Sequence, residues 1–394
     1  MAEREPSPNP LVMSPFSLYI HIPYCQAKCP YCDFNSYAAA LWPEDEYVAA
    51  LSAEMGRYAE LEAWRGGEIQ TVFFGGGTPS LFAARSIGRV LEAAAAHWPL
   101  AAHAEITLES NPGTVEVDKL RGFRAAGVNR VSFGVQSFHA HHLAALGRIH
   151  SADEARLAIR AARDAGFENV SLDLIFALPK QTLAEWEADL RAGIALGTDH
   201  FSAYNLTYEE GTPFHAWRAQ GKLSQLDDAV EASMFRRAQE ILGDAGYVQY
   251  EISNYARPGY ECRHNLNYWR SGAYLGVGAG AHSFADLPAA SQRWSNEKNP
   301  VRYIALAARS GNACVSRETL STAQRRGEFV FLALRCREGF LARDFESRFG
   351  ASFEHLFPHV AGLVADGLLE SVATSWRLTA RGLLFADSVF ATFL

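Results

Sequence analysis

From Ser17 onward the chain alternates between short apolar runs and longer stretches with helical spacing. "SLYIHI" (17–22) is rich in β-forming side chains and reads as a strand. Residues 43–62, "PEDEYVAALSAEMGRYAELE", open on Pro and acids and continue at helical period. The apolar run "IQTVFF" ends in Gly75-Gly76-Gly77, and an alanine-rich helix follows over about 82–97. The same alternation gives a strand at "AEITLES", a helix over 116–126 closing at Gly127, and a strand at "RVSFGVQS". Helical segments then fill 138–165 and stop at Gly166. The fifth strand is "NVSLDLIFAL", stopped by Pro179, and helix 182–196 leads to the sixth, "HFSAYNLT". Six strands, each followed by a helix, imply a parallel sheet. Right-handed crossovers curl it toward a barrel or a doubly wound sheet.

The same end of each unit carries polar residues: Thr78, Glu109, Gln136, Asp173 within its strand, and Asn205 to Thr207. In barrels that end holds the active site. After about residue 225 the alternation weakens. A helix over 226–245 precedes "YVQYEISNYARPG" and "YECRHNLNYWRSGAYLGVGAGAHSF". From about 318, "AQRRGEFVFLALR", "LARDFESRFG" and "FPHVAGLVADGLL" read as three helices, and "LESVATSWRLTARG" as a two-strand wing. The expected organisation is a flexible N-terminus (1–16), a strand–helix core (17–225), a connecting region (226–317) and a winged-helix-like α+β domain (318–394).

Composition narrows the function. With 48% hydrophobic residues in 394, a packed core is expected. A net charge of -8 argues against nucleic acid as a partner, and the C-terminal unit has no basic excess. The first sixteen residues hold four prolines and no cationic start before an apolar run, so no secretory signal is expected. No apolar stretch reaches the roughly eighteen residues of a membrane span. These readings place the chain in the cytoplasm. Its six cysteines are then thiols or metal ligands.

Three of those cysteines lie in one loop, Cys25-x3-Cys29-x2-Cys32. Soft thiolates suit zinc or an iron–sulfur cluster. A structural zinc wants four ligands, and His21 would have to leave the strand pattern to complete them. A cubane cluster takes three thiolates and keeps one iron open. Glycines in the Gly75–Gly77 turn allow close backbone approach to a ligand. Asp173, between Leu172 and Leu174, needs partners to justify its burial.

Cys25-x3-Cys29-x2-Cys32, with Tyr31 before the last Cys, resembles the radical S-adenosylmethionine (SAM) superfamily. The likeness runs from Tyr19 into the C-terminal domain. It implies a partial (β/α)6 barrel carrying a 4Fe–4S cluster whose fourth iron is chelated by SAM. Gly75-Gly76-Gly77-Thr78-Pro79 resembles the GGGTP turn of the oxygen-independent coproporphyrinogen III oxidase group. That resemblance implies SAM contacts from Tyr19, Tyr31, Gly76, Gly77, Thr78, Glu109, Gln136, Arg148, Asp173 and Thr207. Glu109 would face the methionine amine, Arg148 its carboxylate, Gln136 and Asp173 the ribose, and Tyr31 and Thr207 the adenine.

Two features separate this chain from the oxidases of that group. Phe34 stands where they carry a further Cys, and only about sixteen residues precede the first strand. "HNLNYW" (His264–Trp269) is similar to the HNxxYW pattern of the HemW-type haem chaperones. An imidazole can ligate haem iron, and flat rings can cover a porphyrin. The resemblance therefore implies haem binding through His264, Asn265, Tyr268 and Trp269, with Cys262 as a second ligand candidate. It also implies delivery to haemoproteins such as respiratory cytochromes, and it brings homodimerisation and peripheral membrane association into view. The alternatives are the oxidase itself or another radical SAM enzyme acting on a tetrapyrrole.

Overall fold

The computed structural model describes residues 15–287 and 290–394. The expectation for 1–16 falls, up to residue 14, outside them. Six strands pair in parallel and in chain order: β1 (Pro15–Ile22), β2 (Glu68–Gly76), β3 (Leu100–Ser110), β4 (Arg130–Gln136), β5 (Asn169–Phe176) and β6 (His200–Asn205). That order lacks the reversal of a doubly wound sheet. The crossovers run through α1 (Glu44–Ala59), α2 (Ala84–His97), α3 (Val117–Ala125), α4 (Ala140–Ala145), α5 (Ala152–Asp164) and α6 (Leu183–Ala195). The helical stretch expected over 138–165 is therefore two helices, with Gly147 and Arg148 in the break between them.

Local chemistry explains these helices. Capping boxes start α5 (Ser151 with Glu154) and α6 (Thr182 with Glu185), satisfying amides that have no intrahelical partner. α5 buries Ala155, Ala158, Ile159 and Ala162, the spacing of one helical face. The strands are buried on both sides, as parallel strands covered by helices are. Their side chains join one apolar core that includes Leu18, Val72, Leu108, Phe133 and Leu172.

The sheet is wider than the repeat pattern implies. After α7 (Pro213–Ala219) and α8 (Asp228–Asp244), β7 (Val248–Gln249) and β8 (Asn254–Ala256) add antiparallel strands beyond β6. α9 (Arg263–Trp269) follows, and then β9 (Tyr274–Val277) pairs in parallel with the outer side of β1. β10 (His282–Asp286), β11 (Ser291–Asn296) and β12 (Cys314–Thr319) continue as an antiparallel meander, with α10 (Pro300–Ser310) between the last two. The result is an open twelve-stranded sheet whose edges are β7 and β12.

The C-terminal residues form α11 (Thr322–Arg335), α12 (Ala342–Phe349), four shorter helices and the hairpin Leu369–Val372/Ser375–Leu378, joined by a third strand, Phe340–Leu341. They enclose a separate apolar cluster centred on Phe345, Phe353 and Trp376. Among the described residues no helix is long and apolar enough to cross a membrane.

Candidate functional site

The loop after β1 is closed by a two-residue parallel ladder between Tyr24–Cys25 and Tyr37–Ala38. Inside it the Cys32 amide donates to the Cys29 carbonyl (3.1 Å), and Lys28 Nζ donates to the carbonyls of Phe34 (2.7 Å) and Ser36 (3.0 Å). These bonds turn the Cys25, Cys29 and Cys32 thiols toward one cavity of about 1150 Å³ at the C-terminal ends of the parallel strands. Each sulfur has a polar neighbour: Thr78 Oγ1 at 3.5 Å from Cys25, Arg148 Nη1 at 3.6 Å from Cys29, and Ser36 Oγ at 3.9 Å from Cys32. Burial pushes the Cys25 and Cys32 thiols up, and a metal is what draws such thiols into thiolates.

The turn after β2 packs against this loop. Gly77 N–H donates to Ile22 O and Thr78 N–H to Tyr24 O, both at 2.8 Å. A Cβ at Gly77 would stand 2.6 Å from Tyr24 O, and one at Gly76, where φ is +109°, would stand 2.4 Å from the His21 ring. Only glycine allows both approaches. Gly76 N–H also donates to Glu109 Oε2 (3.3 Å). Burial, reinforced by the charge of Asp173, pushes the Glu109 carboxyl up to about 8. Asp173 accepts from Ser132 Oγ (3.1 Å), and burial raises its pKa as well.

Gln136 holds a positive φ of 69°, a strained conformation for a non-glycine residue. Its Oε1 and Arg148 Nε are buried without partners, and both side chains line the cavity. Three clustered thiols, a glycine cradle and two orphaned polar atoms fit a cluster with a small polar ligand beside it. The residues that the sequence assigned to SAM share this cavity, except Tyr19. Tyr19 lines an adjoining cavity, where its hydroxyl lies 2.9 Å from His21 Nδ1.

That second cavity, about 560 Å³, shares Phe34, Gly76 and Glu109 with the first. Its far wall comes from α11 through Phe329 and Phe331. Four cationic side chains reach it. Arg293 pairs with Glu318 and Glu328, Arg325 and Arg348 share Asp286, and Lys298 is the fourth.

The HNLNYW tract forms α9, whose first amides are capped by the Glu105 carboxylate (Arg263 N and His264 N, each 3.1 Å). Of this tract only Tyr268 lines the second cavity. His264 lies beneath it, 1% exposed, with Nδ1 at 2.7 Å from Thr71 Oγ1 and Nε2 at 2.9 Å from the Tyr268 hydroxyl. Its ring stacks on Phe73, and burial pushes its pKa down to about 3. Asn265 is half-buried on α9 and borders neither cavity. Trp269 lies under the Arg335 guanidinium (4.4 Å), and Cys262 is buried with its sulfur 3.7 Å from Glu105 Oε1. The exposed imidazole on the cavity wall is His282, which sequence reasoning missed. The glycines before it in "GVGAGAH" hid the strand that carries it. Ser132, the partner of Asp173, was also missed, although its alternation along β4 marks the face it occupies.

Comparison with known proteins agrees with this geometry. Residues 19–192 match the radical SAM superfamily model, and residues 320–385 match the HemN C-terminal domain model. The chain is 40% identical over 384 residues to a protein of Escherichia coli named heme chaperone HemW, covering 97% of this chain and 99% of that one. It is 36% identical over 386 residues to the protein of that name from Bacillus subtilis, covering 96% and 99%. Among solved structures, the coproporphyrinogen III oxidase HemN of Escherichia coli, a radical SAM enzyme, superposes with a TM-score of 0.83 at 25% identity, covering 97% of this chain and 90% of that one. With a three-cysteine loop on a chain-order parallel sheet and similarity along almost the full length of these relatives, the chain belongs to the HemW family of the radical SAM superfamily.

Proposed function

We propose that the chain is a haem chaperone: it carries a 4Fe–4S cluster on Cys25, Cys29 and Cys32 with SAM beside it, binds haem, and hands it to haemoproteins. The observation that carries this reading is the second cavity. It meets the SAM cavity at Phe34, Gly76 and Glu109, offers aromatic faces at Tyr268, Phe284 and Phe329, and has cationic side chains suited to haem propionates. The proposed SAM contacts are those named from the sequence. Gln136 Oε1 and Arg148 Nε, which lack protein partners, support hydrogen bonds to a ribose and a carboxylate. When bound, the cluster and SAM supply one-electron chemistry; the chain's residues orient SAM, and Phe34 stands between the two cavities.

In the haem site, Tyr268 is the wall against the porphyrin. His264 becomes an iron ligand only if it releases Tyr268 or Thr71, since both of its ring nitrogens are engaged. Asn265, Trp269 and Cys262 line neither cavity, so in this reading they do not face the porphyrin. The proposed division at 317/318 has support in the separate C-terminal apolar cluster, whereas 226–317 shares the core of 17–225. Respiratory cytochromes as acceptors, a cytoplasmic location, membrane association and a homodimer belong to the same proposal.

The test is haem titration into cluster-loaded wild type, Tyr268→Ala and His264→Ala, with each also given coproporphyrinogen III, SAM and a reductant. Tight stoichiometric binding weakened about tenfold or more by either substitution, with no porphyrinogen turnover, is the expected result. Turnover by wild type, with haem binding indifferent to both substitutions, would restore the oxidase reading.

A further inference from the structure

Outside both cavities, two histidines converge on the Glu185 carboxylate, and His139 lies beside them with Nε2 3.1 Å from the Glu185 carbonyl oxygen. "FHAHHL" (138–143) begins α4, and Glu185 is the N3 residue of α6. His139, His141 and Glu185 each present a ligand atom, and these atoms all lie within 4.8 Å of one another. His141 Nε2 is 3.1 Å from Glu185 Oε1. His142, 2% exposed, aims Nε2 at Glu185 Oε2 from 3.5 Å, and that buried nitrogen has no hydrogen-bond partner. The His141 and His142 ring centroids are only 4.0 Å apart.

Imidazole nitrogen is the commonest protein ligand for transition-metal ions. Behind the three rings Asp189 accepts from Ser137 Oγ (2.8 Å) and Phe138 N (2.7 Å) and lies 3.8 Å from His139 Nε2, fixing the turn that presents the histidines. Glu185 is anchored from the other side, since its Oε2 accepts from Thr182 N and Oγ1 at 2.8 Å, leaving Oε1 toward His141.

We propose that His139, His141 and Glu185, with His142 beside them, form a binding site for a divalent cation of the zinc class, separate from the cluster cysteines. Imidazole with one carboxylate suits zinc, nickel or copper rather than magnesium or calcium. A tetrahedral shell needs ligand atoms roughly 3.4 Å apart, so the ion would draw the exposed His141 inward and, if His139 ligates through Nε2, turn that ring from the Glu185 carbonyl oxygen. The ion would brace α4 against α6. α4 leads through Gly147 to Arg148, the residue whose guanidinium reaches Cys29, so the brace lies at the base of the cluster's polar wall.

The experiment uses tag-free, cluster-loaded protein held anaerobically and titrated with Zn²⁺, followed by calorimetry and zinc-edge X-ray absorption. One equivalent in a nitrogen and oxygen shell is expected, weakened at least about tenfold in His141→Ala and His139→Ala, because even outer-shell partners contribute about 10–100-fold. His141 is exposed, so its substitution leaves the fold intact, and unchanged cluster content in both variants checks this. Absence of saturable binding, a shell dominated by sulfur, or binding that survives both substitutions would overturn the site.

Discussion

Glu54 is a carboxylate with no exposed surface, placed where α1 meets the strands beyond the parallel core. Gly278 N–H (3.0 Å) and the Tyr303 hydroxyl (2.6 Å) donate to one oxygen, and Asn296 Nδ2 (2.6 Å) donates to the other. Burial outweighs these bonds and pushes its pKa from 4.5 up to about 7. Between those values the folded chain keeps a proton that the unfolded chain has lost. Its contribution to stability is therefore full below pH 4.5 and is lost as the pH rises to 7. In urea denaturation from pH 4.5 to 8, the stability difference between wild type and Glu54→Gln should move by about 3 kcal/mol in favour of the variant up to pH 7 and then level off. A difference that stays flat would mean that Glu54 is ionised throughout. Glu54 also marks what the sequence hides at this scale. Its partners lie more than 220 residues away, and nothing in a helical "SAEMG" announces them. The grouping of Cys25, Cys29 and Cys32 at one cavity was legible because all three sit in one loop. The position of His264 was not legible, because Thr71, which holds it, is 193 residues distant.

At the scale of elements, the Gly75–Thr78 turn fixes where the cluster loop stands. Its amides bond to carbonyls of β1 and the loop, and Gly77 packs where any side chain would meet two backbone oxygens, Tyr24 O at 2.6 Å and Ile22 O at 2.9 Å. Backbone cannot rotate away as a side chain does. Gly77→Ala should therefore push the loop off β2, cost about 1–3 kcal/mol of stability, and lower the iron and sulfide retained on reconstitution relative to wild type. Full cluster content in the variant would show that the loop is positioned by other contacts. The six parallel strands and their helices followed from periodicity and stop signals. The strands beyond them did not. β9 joins β1 from more than 250 residues away, and its four residues border a glycine-rich run that gives no alternation to read.

For the whole molecule, the decisive feature is that the second cavity belongs to two apolar units. Tyr268 and Tyr274 come from the first unit, whereas Phe329 and Phe331 come from α11, which closes the second. A planar ligand seated there touches both units, so its binding energy resists their separation as well as local fraying. Haem added to the cluster-loaded protein should then slow amide exchange in two segments together, around 268–274 and around 329–332, with exchange in α5 unchanged. Protection of the first segment alone would mean that haem rests on the outer face of α9 and that the cavity serves something else. Joint protection would tie release of the cargo to movement of α11 against the core. An acceptor that engages the C-terminal unit would then loosen haem without touching its iron.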